Sequence, residues 1–237
     1  GSMKFTVIEY SITLNSPLHI ASGLEAPGYA DRIVLRDKGN MPYIPGSSLK
    51  GALRAAVTRL GRTLSVPECG GAECSNPKCL LCRLFGSVKS PGLLRFGDAR
   101  IATGTAEEPF DPAWFSVRNG VQICRQRRIA REGLLYNLEY ADVPSDQVFT
   151  GHISGWVGDD NLLDMDLPPT VWALLCGLRL VDKLGGNRSR GAGSVRIEAT
   201  KILLNGEAVG TGALGSIGLS PDLIEGYAYA LQEEVAA

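Results

Sequence analysis

Four cysteines, Cys69, Cys74, Cys79 and Cys82, recur with the spacing C-x4-C-x4-C-x2-C. Thiolates spaced in this way can close around one zinc ion, because Gly70, Gly71 and Pro77 give the short connections their sharp turns. Two disulfides are the competing reading, but no secretory leader precedes the cluster, and compartment and spacing together favour zinc. A site of four thiolates leaves no open coordination position for substrate, so the expected zinc is structural. Cys124 and Cys176 lie far from the cluster in apolar surroundings and read as free buried thiols.

Two further segments could hold an anion. In Pro42-Tyr-Ile-Pro-Gly-Ser-Ser-Leu-Lys-Gly-Ala-Leu-Arg54 a Gly/Ser turn runs into a helix. The free N–H groups of its first turn, the Ser47 and Ser48 hydroxyls and the charge of Lys50 could seat a phosphate, with Arg54 one turn on; an ordinary capped helix is the plainer alternative. In Gly185-Gly-Asn-Arg-Ser-Arg-Gly-Ala-Gly-Ser194, glycines flank Arg188 and Arg190. This loop leaves a helix and enters a strand and lacks a Gly-Lys-Ser/Thr ending, which excludes the usual nucleotide-binding loops. Gly186 and Gly191 with the two arginines suit a sugar-phosphate chain, unless the loop is only a tight turn.

Catalytic signatures are few. The two histidines, His19 and His152, have no recognisable nucleophile partner, and a histidine beside a strand is most often structural. Asp31 sits in a Pro/Gly loop near basic residues, the kind of place where chemistry is done, although exposed loop aspartates are common.

The 237 residues, 44% of them hydrophobic, can bury one large core, or a compact domain with insertions. No apolar run approaches the roughly 20 residues a membrane helix needs. Gly1-Ser2-Met3 reads as a vector remnant, and a cytoplasmic protein is expected. The net charge of −1 hides segregation: basic residues run from Arg32 to Arg62, from Arg118 to Arg131 (including Arg125, Arg127 and Arg128) and from Arg179 to Lys201. Acids gather at Glu107 to Asp111, at Glu139 to Asp166 and toward the C-terminus, so a polyanion could lie on one face while the opposite face stays acidic.

Hydrophobic periodicity supplies the frame. A half-buried strand is predicted over Lys4 to Leu14 by alternating Ile8, Tyr10, Ile12 and Leu14. A helix follows, capped by Ser47-Ser48, carrying Leu49, Ala52, Leu53, Ala56, Val57 and Leu60 and stopped at Gly61. Strands are expected at Leu93 to Ile101, Gln147 to Val157 and Ser194 to Leu204. An apolar helix begins at Pro168-Pro169-Thr170 and ends at Gly185-Gly186, and Ser220-Pro221-Asp222 caps a terminal helix. The order is β-α-β-β-α-β, an α+β plan of the ferredoxin-like or RNA-recognition-motif (RRM) kind.

These motifs occur in the order that resembles the RAMP superfamily of type III CRISPR effector complexes. The resemblance rests on Leu18-His-Ile-Ala-Ser-Gly23, Asp31-Arg-Ile-Val-Leu-Arg-Asp37, the Pro42 to Arg54 segment, and the cysteines followed by Leu84-Phe-Gly86. Arg95-Phe-Gly-Asp-Ala99, Glu139-Tyr-Ala-Asp-Val-Pro144 and the Gly-rich loop complete it. It is closest to the repeated backbone subunit that holds the crRNA. The resemblance implies one RAMP palm over residues 1–237, with insertions at 15–46 (the loop carrying Asp31), 62–92 (the zinc module) and 106–146 (a thumb hairpin), and a C-terminal helical segment at 205–237. It implies that copies associate head to tail along one crRNA with other subunits of the complex. Phosphates would be met at Ser47, Ser48, Lys50, Arg54, Gly186, Arg188, Arg190 and Gly191, while thumb residues including Arg125, Arg127 and Arg128 would interrupt the guide–target duplex. Asp31 matches the residue that cleaves target RNA, where a carboxylate and a divalent cation such as Mg2+ would assist attack by a 2′-hydroxyl. An inert crRNA-binding subunit and a guide-processing endoribonuclease of the same superfamily are the alternatives.

Overall fold

The computed structural model describes residues 3–71, 74, 76, 79–101, 112–124, 126–158, 167–209 and 221–236. Pro77, Arg125, Ser220 and the acids from Glu107 to Asp111 lie outside the described residues. Strand β1 (Met3–Leu14) is the centre of a mixed α/β fold. It pairs antiparallel with β7 (Phe149–Gly158) on one side and with β8 (Val195–Leu204) on the other. Beyond β7 lie β3 (Leu94–Phe96) and β4 (Ala99–Ile101), then β2 (Tyr43–Ile44); β9 (Glu207–Ala208) pairs with the end of β8.

Alternation in β1 puts Ile8, Tyr10, Ile12 and Leu14 on one face, where they are buried beneath α1 (Gly46–Thr63) and α3 (Pro169–Leu180). The two helices meet at Gly177, where a Cβ would come within 2.7 Å of Leu53 and Val57 side-chain carbons. Helix α4 (Pro221–Ala236) covers α3 from outside, with Tyr227 stacked on Trp172 at 4.6 Å. That cover explains why α3 is buried from Pro169 through Leu178 rather than amphipathic. Among the described residues, no helix is long and apolar enough to cross a membrane.

Four details differ from the sequence reading. Pro45, not Ser47 or Ser48, is the N-cap of α1, and no side chain of its own caps it. The amide of Gly46 instead donates to Asp98 Oδ1 at 3.0 Å, and this use of Asp98 breaks the expected single strand at Gly97-Asp98 into β3 and β4. Helix α1 also runs through Gly61 to Thr63, and α3 ends at Leu180, before the glycines, because Val181 is extended.

The second sheet is a hairpin, β5 (Phe115–Cys124) with β6 (Ile129–Ala141). Its base is joined to the 15–42 excursion by Glu139, a residue the sequence reading placed on an acidic surface and which is fully buried. Glu139 Oε1 accepts from Arg36 Nη2 at 2.5 Å and Oε2 from the Val34 amide at 2.8 Å. Its own amide donates to the Arg32 carbonyl at 3.0 Å, and its carbonyl lies 2.7 Å from His19 Nδ1. Arg36 is held from its other side by the Phe115 ring, 3.7 Å below the guanidinium carbon. A carboxylate so enclosed is stable only while paired, and removing it leaves the cation without its counter-charge. Glu139→Ala is expected to lower unfolding free energy by about 3 kcal/mol, read as a fall in the urea midpoint.

Candidate nucleic-acid interface and metal centre

The cysteines converge. The Sγ atoms of Cys69, Cys74, Cys79 and Cys82 all lie within 4.8 Å of one another, with Cys69 and Cys82 at 3.5 Å. Zn–S bonds of about 2.3 Å place tetrahedral sulfurs about 3.8 Å apart, so the set fits a zinc ion. Burial, then the neighbouring thiols, push Cys82 up to about 12, and burial raises Cys79, whereas backbone hydrogen bonds lower Cys74 to about 7. Helix α2 (Leu80–Phe85) starts at the third cysteine and carries the fourth, sending Leu80, Leu84 and Phe85 into the core. Cys176 is a buried free thiol pushed up to about 11 by burial, while Cys124 is only half-buried.

The anion-binding candidates divide into two groups. Ser48, Gly186 and Arg188 line one cleft of about 510 Å³, together with His19, Arg32 and Lys183. Its floor is a face of α1 made of Ser48, Gly51, Ala52 and Ala55, whose small side chains permit close approach of a chain. The sequence reading missed that face, although its i, i+3, i+4, i+7 spacing was visible. It placed Arg32 and Lys183 only within long basic stretches. Ser47 is exposed at the start of the same helix. Lys50 and Arg54 instead border a separate depression beside the 86–92 loop, and Arg54 donates to the Gly86 carbonyl at 2.6 Å.

Amides in both candidate anion-binding segments are engaged within the protein. Gly46 N–H is taken by Asp98, Ser48 N–H donates to the Pro45 carbonyl at 2.9 Å, and Gly186 N–H donates to the His19 carbonyl at 2.7 Å. The cleft therefore offers side-chain hydroxyl and cations more than a ring of open amides. Its Gly-rich wall is held tightly: at Gly193, with φ of +73°, a Cβ would lie 1.9 Å from the Leu184 carbonyl oxygen. Arg190 donates to the Tyr136 hydroxyl, and Asn187, at φ of 56°, donates to the Tyr140 hydroxyl at 3.0 Å. Gly191 is exposed, with open space around it. Arg127 and Arg128 are exposed at the hairpin turn, away from the cleft lining.

Asp31 is exposed and attached to the same strand as the Gly-rich loop. Its Oδ2 accepts from the Asn137 amide at 2.7 Å and its own amide donates to the Asn137 carbonyl at 2.9 Å. Residues 136–140 of β6 thus carry Arg190, Asp31, Arg32, His19 and Asn187 in succession. One carboxylate oxygen is oriented by a backbone donor while the group stays in solvent, an arrangement able to accept a proton or share a cation with a bound phosphate.

Elemental analysis is expected to find about one zinc per chain. Because all four ligands bind as thiolates, zinc affinity rises with pH and loading releases protons. Cys79→Ser is expected to lose the metal and lower the melting temperature, whereas Cys176→Ser keeps the metal.

The family model of the RAMP superfamily matches residues 11–196. A protein named CRISPR system Cms endoribonuclease Csm3 from Methanocaldococcus jannaschii is 27% identical over 214 residues, covering 83% of this chain and 80% of that one. A protein of the same name from Streptococcus thermophilus is 29% identical over 213 residues, covering 84% and 90%. Among solved structures, a chain of the type III-B Cmr-beta complex in its apo state shares the fold, with a TM-score of 0.56 at 15% identity over 82% of this chain and 97% of that chain. The extent of the family match, over the segment that holds the cleft and the Asp31 strand, makes this chain a member of the RAMP superfamily.

Proposed function

We propose that this chain is a crRNA-binding backbone subunit of a type III CRISPR effector complex and an endoribonuclease that cuts complementary target RNA, with Asp31 as its catalytic carboxylate. The observation that carries the reading is the cleft in which the start of α1 and the Gly-rich loop face each other with Arg32, Lys183 and Arg188, joined through β6 to Asp31. The names of the relatives from Methanocaldococcus and Streptococcus support the activity. The strand order β8-β1-β7 with β3 and β4 beyond supports a ferredoxin-like palm, and the β5–β6 hairpin supports a thumb.

On this reading the cleft grips guide phosphates without reading bases, as cations, a hydroxyl and small side chains do. Copies stack head to tail along the crRNA beside other subunits, so that target RNA is cut at regular intervals. Each hairpin interrupts the duplex and turns one target nucleotide outward. Its 2′-hydroxyl then lies in line with the adjacent phosphorus; the oxygen attacks, the bond to the 5′-oxygen breaks, and Asp31 assists departure of the hydroxyl proton. The Asp31 carboxylate would hold a divalent cation such as Mg2+, which would supply charge stabilisation for the displacement. The cysteine cluster would hold structural zinc, and the residues it organises would brace α1 on another flank from the cleft.

In the assembled complex, Asp31→Ala is expected to slow target cleavage by about 10²- to 10⁴-fold with guide binding unchanged; normal cleavage would contradict the catalytic role. Gly51→Leu tests the cleft directly. A Cβ at Gly51 meets nothing within 4 Å, and leucine favours a helix, so the protein is expected to stay folded while crRNA binding falls. Binding is expected to weaken steeply with salt, and Arg188→Ala to reduce the slope of log K against log salt by about 0.7 for one lost phosphate.

A further inference from the structure

His19 is 5% exposed, and its ring forms part of the cleft wall. Nδ1 lies 2.7 Å from the Glu139 carbonyl oxygen. A carbonyl has no proton to give, so Nδ1 carries the hydrogen and donates it; in the neutral ring Nε2 is then a bare acceptor. The ring edge bearing Nε2 lies along the Gly-rich loop, since a Cβ at Gly186 would stand 3.3 Å from His19 Cδ2. Nε2 has no hydrogen-bond partner among the described residues, and it is not one of the sealed polar atoms left unpartnered in the core. With Nδ1 turned to the Glu139 carbonyl, Nε2 is the ring nitrogen left for a ligand in the cleft that His19 lines.

We infer that His19 Nε2 accepts a hydrogen bond from a ribose 2′-hydroxyl, so that the cleft selects an RNA guide over DNA. The inference rests on the guide-binding reading of the cleft. A nucleic acid presents few donors to such an acceptor. Phosphate oxygens only accept, and base amines change with sequence, whereas a subunit that follows a guide backbone needs a donor that every nucleotide carries. The 2′-hydroxyl is the donor present at every ribonucleotide and absent from every deoxyribonucleotide. Because Glu139 fixes the tautomer through its backbone carbonyl, recognition is set by the same residue that joins the 15–42 excursion to the hairpin.

The test compares the full chain's affinity for a single-stranded RNA and for the same sequence with 2′-fluoro sugars, which keep an RNA-like pucker and cannot donate. The wild-type chain is expected to bind the ribose form roughly three- to tenfold more tightly per contacted nucleotide. His19→Asn retains a side-chain amide where Nδ1 stood and removes Nε2, and it is expected to bind both strands alike. Equal affinity of the wild-type chain for both strands, with the steep salt response intact, would overturn the inference while leaving the guide-binding reading in place. Preserved discrimination in His19→Asn would overturn it too. Failure of the wild-type chain to bind either strand would remove the guide-binding reading and the inference together.

Discussion

The pairing of Glu139 with Arg36 and the Val34 amide is the joint on which the functional surface depends. It draws Val34 and Arg36 of the 15–42 excursion onto a residue more than a hundred positions later in the chain, and in doing so fixes three things at once. Asp31 meets Asn137, His19 meets the Glu139 carbonyl, and Arg32 is placed at the mouth of the cleft. A buried carboxylate is a costly device when an apolar pair would fill the same space. Its advantage here is register: both carboxylate oxygens are satisfied only when β6 and the excursion align in one way, and a slip by one residue would turn every β6 side chain to the other face.

The cleft and the cysteine cluster divide the work on helix α1. One face of the helix, built of small residues, forms the floor of the cleft; on another flank Arg54 reaches the Gly86 carbonyl beyond helix α2. A short helix such as α2 has little stability of its own, and a metal closing on Cys79 and Cys82 would supply it. The cluster is the sharpest chemical signal in the chain, yet its consequence for function runs through the placement of α1.

Local patterns were legible in the sequence where the interaction was local. Alternation gave β1, helical spacing gave α1, and four cysteines within fourteen positions gave the cluster. What failed was any property set by a distant partner. Ser47 and Ser48 read as caps, but Asp98 supplies the cap across 52 positions, and that same carboxylate interrupts the strand it sits in. Glu139 read as one member of an acidic run because Arg36 lies 103 positions away. Gly186 read as a place where backbone could approach a ligand, since nothing in the loop itself announces that its amide would meet the His19 carbonyl. Net charge along a stretch likewise says nothing of which cations are already engaged, as Arg36 and Arg54 are.

Two of the surfaces suited to RNA compete for the guide. One is the cleft; the other is the uncovered face of the sheet, where Phe5 and Trp156 stand edge to face at 5.4 Å and are partly exposed. Aromatic rings on an open sheet stack bases in many RNA-binding domains, so the choice between the surfaces is the central question. Photo-crosslinking of a 4-thiouridine-containing guide to the full chain, with the attached peptides mapped by mass spectrometry, decides it. Crosslinks in the cleft, at residues 19–32, the start of α1 and residues 183–190, are the result this account predicts; crosslinks concentrated at Phe5 and Trp156 would contradict it.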